Sequence, residues 1–354
     1  MPGPVRFGLH LCAQRSAADV QRGAFARIVQ ELTEQVRLAR EVGFTAISVP
    51  QHYLSNDLPQ LQPLPLLARL TAETTAGSQP PMQVATAIQL LGLPNPLDTA
   101  EQLATLDVLS GGQLRVGVAL GYRDEEFAAF GISGPVRERA ARYQANLELV
   151  SKLLAGETVS FDQPWCRLDN ASLAVPPVQR PRPPLWMGAN GDRALKRVAR
   201  LGDAWLLNAH ARLDTLERQF ADIYLPELER LGKPRPAVVP IRREFYVAAD
   251  RRAAYREAGP SLFPKYETYA AWGQDEQLPE DDSFDLASLE ELARDRFILG
   301  SPEECIAELE RCVERVGATD FLLRVQWAGM PQAQALRQIE TIGTHIIPHV
   351  ARAA

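Results

Sequence analysis

The chain has 354 residues, of which 46% are hydrophobic and 23% charged, and its 38 basic and 44 acidic side chains give a net charge of −6 at pH 7. This composition is typical of a globular protein with a large core. The acidic excess gives no electrostatic reason to expect binding to nucleic acid or to an anionic membrane. No apolar run approaches the roughly 20 residues that a membrane span needs.

The four cysteines are too dispersed for a zinc site or for the disulfide framework of a small secreted protein. The chain starts directly in a predicted strand, without the charged and apolar leader of a secretion signal. We therefore expect reduced thiols and a cytoplasmic protein. The short basic runs 242–243 and 251–252 are expected on the solvated surface.

Strands and helices are predicted to alternate along the whole chain. Apolar, β-rich runs predict eight strands, at residues 5–11, 46–49, 82–89, 114–119, 184–188, 204–207, 237–248 and 320–325. Helical periodicity predicts eight helices, at residues 24–42, 64–75, 96–109, 136–154, 191–201, 213–231, 302–316 and 332–347. Alternation indicates parallel strands with helical crossovers. The count predicts an α/β fold, a (β/α)₈ TIM barrel that forms one domain over residues 1–354.

Residues 82–131 form the most informative segment, because they predict a complete strand, helix and strand followed by a polar loop. The helix begins at the pair 95–96, an Asn N-cap followed by Pro, and the two glycines at 111–112 end it. The loop at 121–127 follows the second strand of this unit. Loops at the carboxyl ends of barrel strands carry the chemistry of barrel enzymes.

The crossover after the seventh strand is unusually long. It covers about residues 250–297 and ends before Ser301, which begins the next helix with a capping box. Its middle part, 274–283, is predicted to be too acidic to pack as core. An active-site lid and a spacer without function are both compatible with such an insertion. The proline-rich segment 169–184 is predicted to be a long rigid loop.

Four stretches, at residues 43–53, 82–131, 183–191 and 200–205, resemble the luciferase-like flavin monooxygenases. This family includes bacterial luciferase, alkanesulfonate monooxygenase and dehydrogenases that depend on the deazaflavin coenzyme F420. Family-like sequence extends over nearly the whole chain. The resemblance implies a TIM barrel with a mobile segment after the seventh strand, a small organic substrate and a homo-oligomer. We expect this segment, 251–297, to order over the barrel mouth when reduced flavin is bound.

His52 is the predicted catalytic residue. It stands just past the second strand, at the rim where barrel enzymes place catalytic groups, and an imidazole there can accept or donate a proton. Position alone favours a histidine that hydrogen-bonds a loop carbonyl. The resemblance implies that His52 contacts the flavin and acts as a general base.

Two segments are predicted to bind the cofactor. The resemblance implies that Thr86, Ala87 and Ile88 lie beneath the flavin ring, with a non-proline cis peptide between Ala87 and Ile88. The turn Gly188-Ala189-Asn190-Gly191 joins the fifth strand to a helix and exposes backbone N–H groups at the positive end of that helix, which makes it a plausible phosphate seat. A Gly/Asn turn without any ligand is the other interpretation.

Three side chains complete the predicted cofactor site. By resemblance, Arg139 and Tyr143 occupy positions of flavin contacts, although a solvated helix arginine is an equal alternative for Arg139. Tyr122 follows the fourth strand and could contact a flavin or pack within its loop. Ala119 and Leu120 stand where the luciferase α chain has a reactive cysteine and a phosphate-binding arginine. Light emission and that mode of phosphate binding are therefore not expected.

The resemblance implies a monooxygenase that uses reduced FMN and O₂ to oxygenate a small organic substrate through a C4a-peroxyflavin. No GxGxxG fingerprint follows any strand, so the reduced FMN is expected to come from a separate, transiently bound flavin reductase. Two alternatives stay open: an F420-dependent dehydrogenase that transfers hydride, and a flavin-binding protein without turnover. No metal is expected, because no cluster of ligands such as HxH lies on the first strand.

Overall fold

The computed structural model describes residues 4–21, 23–77 and 79–353. Its strands are β1 Arg6–His10, β2 Ala46–Val49, β3 Gln83–Leu90, β4 Leu114–Ala119, β5 Val159–Gln163, β6 Cys166–Ala171, β7 Leu185–Gly188, β8 Ala204–Leu206, β9 Pro240–Val247, β10 Ile298–Gly300 and β11 Asp320–Arg324. Nine of these form one parallel sheet in the order β10-β9-β11-β1-β2-β3-β4-β7-β8. Strands β5 and β6 form a separate antiparallel pair.

The sheet curls until its two ends meet. Leu207, just after β8, donates its N–H to Pro240 O of β9 at 2.9 Å and accepts the N–H of Arg242 at 2.9 Å. These two bonds join β8 to β9 and close a ring of eight strands, with β10 as an extra strand paired to β9. The predicted α/β TIM-barrel fold is confirmed, and all eight predicted strands are present.

Helices connect the strands and surround the sheet. They are α1 Ala17–Gln21, α2 Phe25–Glu41, α3 Pro63–Thr74, α4 Pro96–Leu109, α5 Asp124–Ala129, α6 Val136–Leu154, α7 Asp192–Leu201, α8 Leu213–Gln219, α9 Leu225–Arg230, α10 Arg251–Ala271, α11 Leu289–Ala293, α12 Pro302–Val316, α13 Gln332–His345 and α14 Ile347–Ala353. A π-helical turn joins α8 to α9 without a break. The predicted helix at 213–231 is therefore one continuous helical segment made of α8, the π-helical turn and α9. Within the described part of the chain, no helix is both long and apolar enough to span a bilayer.

The predicted helix starts are confirmed by their capping bonds. The Asn95 side chain accepts the N–H groups of Leu97 and Asp98 at the start of α4. Ser301 and Glu304 form the full capping box of α12. A cap satisfies backbone donors that the first helical turn leaves without an intrahelical partner. The four cysteines are buried free thiols.

The elements that were not predicted include the β5–β6 hairpin, the strand β10 and the long helix α10. The β5–β6 hairpin is largely exposed and short, and β10 has three residues, so neither gives the long apolar run that marks a barrel strand. The hairpin also occupies the first residues of the predicted loop 169–184; beyond it, residues 172–184 contain neither helix nor strand. The insertion 250–297 contains the 21-residue helix α10, which is helical despite two internal prolines.

Two predictions about charged segments were wrong. Asp282, in the acidic stretch 274–283, is fully buried because Arg296 forms an ion pair with it. Arg242 and Arg243 are also buried, with relative exposures of 9% and 2%, because both lie in the interior of β9 rather than on the surface. Burial of a charged group is tolerated when a partner compensates it, so charge alone does not predict exposure.

The contact between β3 and β4 shapes the floor of the barrel mouth. The peptide between Ala87 and Ile88 is cis, as predicted, and the pairing with β4 shifts between Thr86 and Gln89. A Cβ on Gly117 of β4 would lie 2.0 Å from Thr86 O. Glycine is therefore required at this position, because only a residue without a side chain allows the two backbones to approach so closely.

Candidate active site

A cleft of about 370 Å³ opens at the carboxyl ends of the barrel strands. Its walls come from the ends of β2, β3, β4, β7 and β8, from Arg242 of β9 and from the middle of the long crossover. Among the described residues, the predicted site residues that line it are His52, Ala87, Ile88, Tyr122, Tyr143, Gly188, Ala189, Asn190 and Gly191. Residues distant in the sequence therefore meet at one edge of the sheet, as parallel strands require.

His52 is held by a buried carboxylate. Its Nδ1 lies 3.2 Å from Oε1 of Glu126, which also accepts the N–H of Tyr53 at 2.7 Å. A carboxylate can only accept, so we assign the ring proton to Nδ1. Nε2 makes no hydrogen bond with any residue that the structure describes, which leaves its lone pair available to a ligand in the cleft. Glu126 lies on the short helix α5 and was not predicted.

Aromatic rings enclose the His52 imidazole. The ring centroids of Tyr122, Tyr269 and Trp272 lie 6.0, 5.9 and 5.4 Å from its own. Tyr269 and Trp272 stack on each other, and the guanidinium of Arg123 lies 4.2 Å from the Trp272 ring centroid. Since Tyr269 and Trp272 belong to the end of α10, the long crossover packs directly against the candidate catalytic residue.

The Gly188–Gly191 turn offers hydrogen-bond donors to a ligand, because oxygens of Ala189 and Asn190 already accept hydrogen bonds from the protein. Trp205 Nε1 donates to Ala189 O at 3.2 Å, and Gln219 and Asn208 donate to the backbone and side-chain oxygens of Asn190, each at 2.6 Å. Gly191 caps α7 without a side-chain hydrogen bond, so the N–H groups of the first helical turn lack a protein partner. A Cβ on Gly191 would have nothing within 4 Å, so protein packing does not require this glycine.

An arginine that was not predicted lies beside this turn. Arg197 of α7 lines the cleft, and its guanidinium forms no hydrogen bond or ion pair within the described ranges of the chain. Partial burial lowers the pKa of Arg197, while the nearby Tyr143 hydroxyl acts in the opposite direction. A free guanidinium near open helical N–H groups is a chemically suitable environment for a phosphate.

Three further polar atoms in the cleft wall are buried without a partner in the described structure. They are the hydroxyls of Tyr122 and Tyr143 and Nδ1 of His210. Burial raises the pKa of both tyrosines, so both hydroxyls stay protonated and can donate a hydrogen bond. A buried polar group normally has a partner. Unsatisfied groups in a cleft wall therefore indicate a ligand with polar atoms at several points.

Two predicted site residues lie outside the cleft wall. The Thr86 side chain is buried and donates to Gly117 O at 2.8 Å, so it holds β3 to β4. The Arg139 guanidinium pairs with Asp124, donates to Gly134 O at 3.1 Å and lies 4.5 Å from the Phe127 ring centroid. Its charge is therefore directed toward the start of α5, away from the cleft.

The cleft fits a flavin in its chemistry. Ala87, Ile88 and Met187 provide apolar surface for a planar ring, while the unsatisfied hydroxyls and His52 Nε2 provide polar contacts for ring nitrogen and oxygen atoms. The glycine turn and Arg197 would hold a phosphate group. No group of three or more potential metal ligands occurs within residues 4–21, 23–77 and 79–353.

The family model of the luciferase-like monooxygenases matches residues 5–320. The chain therefore belongs to this family and is an oxidoreductase, as the sequence predicted. The family assignment does not identify the substrate.

Solved structures of similar architecture confirm the fold. The monooxygenase RslO1 from Streptomyces bottropensis superposes with a TM-score of 0.82 at 22% identity, over 97% of this chain and 99% of that one. The oxygenating constituent of 3,6-diketocamphane monooxygenase from Pseudomonas putida, in complex with FMN, gives 0.76 at 15% identity over 98% and 99%. An F420-dependent secondary alcohol dehydrogenase gives 0.72 at 19% identity over 98% and 99%. Both cofactors therefore occur among proteins with this fold.

Proposed function

We propose that this protein is a flavin-dependent monooxygenase that receives reduced FMN from a separate reductase and oxygenates a small organic substrate with O₂. The observation that carries the proposal is the cleft itself. It combines a histidine with a free Nε2, an apolar wall at Ala87 and Ile88, and open N–H donors with an unpaired Arg197. Reduced flavin, when bound, supplies the electrons that activate O₂.

The residues of the chain would perform three tasks. Ala87 and Ile88 support the ring, and the turn with Arg197 anchors the phosphate. Glu126 holds His52 in the tautomer that has its lone pair on Nε2, so His52 can accept a proton from a group in the cleft and return it later. Tyr269 and the cleft-lining Gln274 belong to the long crossover and limit the access of water.

The cofactor decides between this proposal and F420-dependent hydride transfer. We would titrate the purified protein anaerobically with reduced FMN and, separately, with reduced F420, and then measure O₂ consumption and product formation with a flavin reductase and NAD(P)H. We expect tighter binding of reduced FMN and activity that requires both O₂ and the reductase. Binding of reduced F420 alone, with hydride transfer that does not need O₂, would show that the proposal is wrong.

A comparison of FMN with riboflavin tests the orientation of the cofactor. The two differ only by the phosphate, so the open N–H groups and Arg197 should favour FMN. Equal affinities for FMN and riboflavin would exclude the glycine turn as the phosphate seat, even if the ring binds in the cleft.

A further inference from the structure

A group of buried charges with too few anions lies on the β9 side of the cleft. Its cations are Arg242 of β9, Lys265 of α10 and Arg324 of β11, and its carboxylate is Glu244 of β9. Glu244 interacts with all three cations electrostatically or by hydrogen bonding, and no other carboxylate acts as their hydrogen-bond partner within the described residues. We call these four residues the β9 charge cluster.

The hydrogen bonds of the cluster leave one cation without a partner. Glu244 accepts hydrogen bonds from Lys265, from Tyr266 at 3.2 Å and from Trp327 at 2.5 Å, so both of its oxygens are occupied. Arg324 donates to Gln14 at 2.6 Å and to a backbone carbonyl at 3.1 Å. Arg242, by contrast, makes no side-chain hydrogen bond in the described structure.

The neighbouring groups do not supply the missing negative charge. Burial lowers the pKa of Lys265 to about 7, but even with a neutral Lys265 two guanidinium groups face one carboxylate. His10 and His210 are kept neutral because burial and the surrounding cations lower their pKa values. Glu276, an acidic residue of the cleft wall, is exposed at the rim and does not hydrogen-bond Arg242.

Arg242 reaches the cleft from the side opposite the expected flavin wall. In the closed ring of eight strands, β9 lies four strands from β3 in either direction. Arg242, a residue only 9% exposed, therefore lines the cleft on the side opposite Ala87 and Ile88. A buried guanidinium that shares its one neighbouring carboxylate with other cations is unfavourable, and an anionic ligand would relieve that cost.

We propose that Arg242 binds a carboxylate or sulfonate group of the substrate, so that the substrate of this protein is a small organic anion. The inference rests on the proposed function, because the anion would belong to the molecule that faces the flavin. An oxyacid group offers two oxygens to the planar guanidinium, a geometry that favours Arg over Lys. His210 Nδ1, also without a partner in the described structure, lies in the same cleft wall and offers a further polar contact.

Matched anion and amide probes test this proposal on the wild-type protein. We would measure, by calorimetry under anaerobic conditions, the affinities of pentanoate against pentanamide and of butanesulfonate against butanesulfonamide, both without flavin and with saturating reduced FMN. We expect each anion to bind about 30-fold tighter than its neutral partner, since loss of a buried charge pair typically costs at least that factor. Equal affinities of anion and amide in both states would overturn the proposal.

Variants locate the effect and separate it from the flavin site. Arg242→Met should abolish the preference for the anion without changing the affinity for FMN, and Arg242→Lys should keep part of it. The control Arg197→Met should weaken FMN binding and keep the preference. The proposal is overturned if the folded Arg242→Met variant still prefers the anion to the amide. It is also overturned if this variant loses only affinity for reduced FMN, because the anion that Arg242 binds would then be the flavin ring. Failure to bind any flavin, with the anion preference intact in flavin-free protein, would refute only the proposed function.

Discussion

Two groups of buried charges connect the long crossover to the barrel, and they differ in completeness. The first pairs Asp282 with Arg296, both fully buried, at 2.6 Å. The other oxygen of Asp282 accepts the N–H of Arg212 at 2.8 Å, and Arg296 donates further to backbone carbonyls such as that of His210 at 2.6 Å. The second is the β9 charge cluster, in which the buried Arg242 side chain makes no hydrogen bond in the described structure.

The difference between the two groups shows which buried charges stabilise the packing and which are available to a ligand. Asp282 and Arg296 neutralise each other away from the cleft wall, so their pairing serves the packing of the crossover. Arg242 lies in the cleft wall, where a ligand can supply the missing charge. The pair of His52 and Glu126 combines both features, because one ring nitrogen is held by the protein and the other is free. An open hydrogen-bonding position marks a charge as a candidate for ligand binding only where it lies in the cleft wall, because Arg243 Nη2 and Arg324 Nη1 also lack partners in the described structure but lie outside that wall.

The largest expected effect is on the complete pair. Asp282→Asn leaves Arg296 buried without its counter-charge, and we predict a loss of about 3–5 kcal/mol in the free energy of unfolding. Urea denaturation followed by circular dichroism measures it. The control is Asp281→Asn at the neighbouring position, whose side chain is 72% exposed. It should change stability by no more than about 0.5 kcal/mol. Similar values for the two variants would contradict a structural role for the Asp282–Arg296 pair.

The next effect is on turnover and concerns the pair of His52 and Glu126, in which Nε2 of His52 is free. His52→Ala should lower turnover by roughly 10²-fold or more without unfolding the protein, because a positioned acid–base group contributes about 10²–10⁴. Steady-state O₂ consumption with reduced FMN and a small-anion substrate panel measures the loss. His345→Ala, an exposed histidine of α13, is the control and should be silent. Turnover at the wild-type level in folded His52→Ala would remove this residue from the mechanism.

Glu126→Gln refines the same prediction. The amide keeps the size of the side chain but no longer offers two acceptor oxygens, so Nδ1 of His52 is held less firmly. We expect a smaller loss of turnover than in His52→Ala, with a changed pH profile. An unchanged pH profile would limit Glu126 to its backbone contact with Tyr53.

Arg197, whose guanidinium is unpaired beside the glycine turn, is expected to affect the binding of FMN. Arg197→Met should weaken FMN binding by about 10- to 30-fold, the value of one hydrogen bond to a charged group, and leave riboflavin binding unchanged. Fluorescence titration with each flavin measures both affinities. Arg193→Met, an exposed position one turn earlier on α7, is the matched control. If the Arg197 variant weakens riboflavin and FMN equally, its effect does not pass through the phosphate.

A smaller effect is expected on the pH dependence of stability. It tests the cations of the β9 charge cluster through a neutral neighbour, His210. Burial first, and then cations such as Lys265 and Arg242, hold the pKa of His210 well below its usual value near 6.5. The unfolded chain therefore takes up a proton below about pH 6.5 that the folded protein excludes, so stability falls as the pH drops through that range. For one histidine the loss between about pH 8 and about pH 5.5 is about 1.4 kcal/mol.

Urea denaturation at the two pH values checks this effect. His210→Gln should show a smaller pH-dependent loss than the wild type. His345→Gln, at an exposed position, should keep the loss of the wild type. An identical loss in wild type and His210→Gln would mean that His210 is protonated in the folded protein, and the positive charge around it would be smaller than inferred.

The barrel and one part of the site could be predicted from the sequence. The strands are apolar runs buried on both faces, and the ends of parallel strands meet at one edge, so His52 and Gly188–Gly191 could be expected together. The place of Arg242 in the cleft wall could not be predicted, because Arg242 and Arg243 are adjacent basic residues of the same strand, β9. Arg243 donates to the carbonyls of Asn208 and Ala211, each at 3.2 Å, and only the packing shows that Arg242 differs.

The crossover shows the same limit for acidic residues. Asp281 and Asp282 are indistinguishable in sequence, but one is largely exposed and the other fully buried. The partner of Asp282 lies 14 residues away, and its pairing depends on how α11 packs. A local pattern of charge therefore predicts average exposure and cannot identify the single residue that a distant partner compensates.

The smallest effect divides the crossover into a fixed and a movable part. Residues 251–297 were predicted to be mobile as a whole, but α10 and α11 contribute to a buried cluster with Trp327, and Asp282 is anchored. We therefore expect opening to be confined to about residues 273–280, where Gln274, Glu276 and Gln277 line the cleft. Anaerobic limited proteolysis should cut there first and a few-fold more slowly with reduced FMN. Asp282→Asn should extend cleavage toward α11. Equal cleavage with and without reduced FMN, in wild type, would make this segment a spacer, and water would then have to be excluded by the aromatic residues around His52.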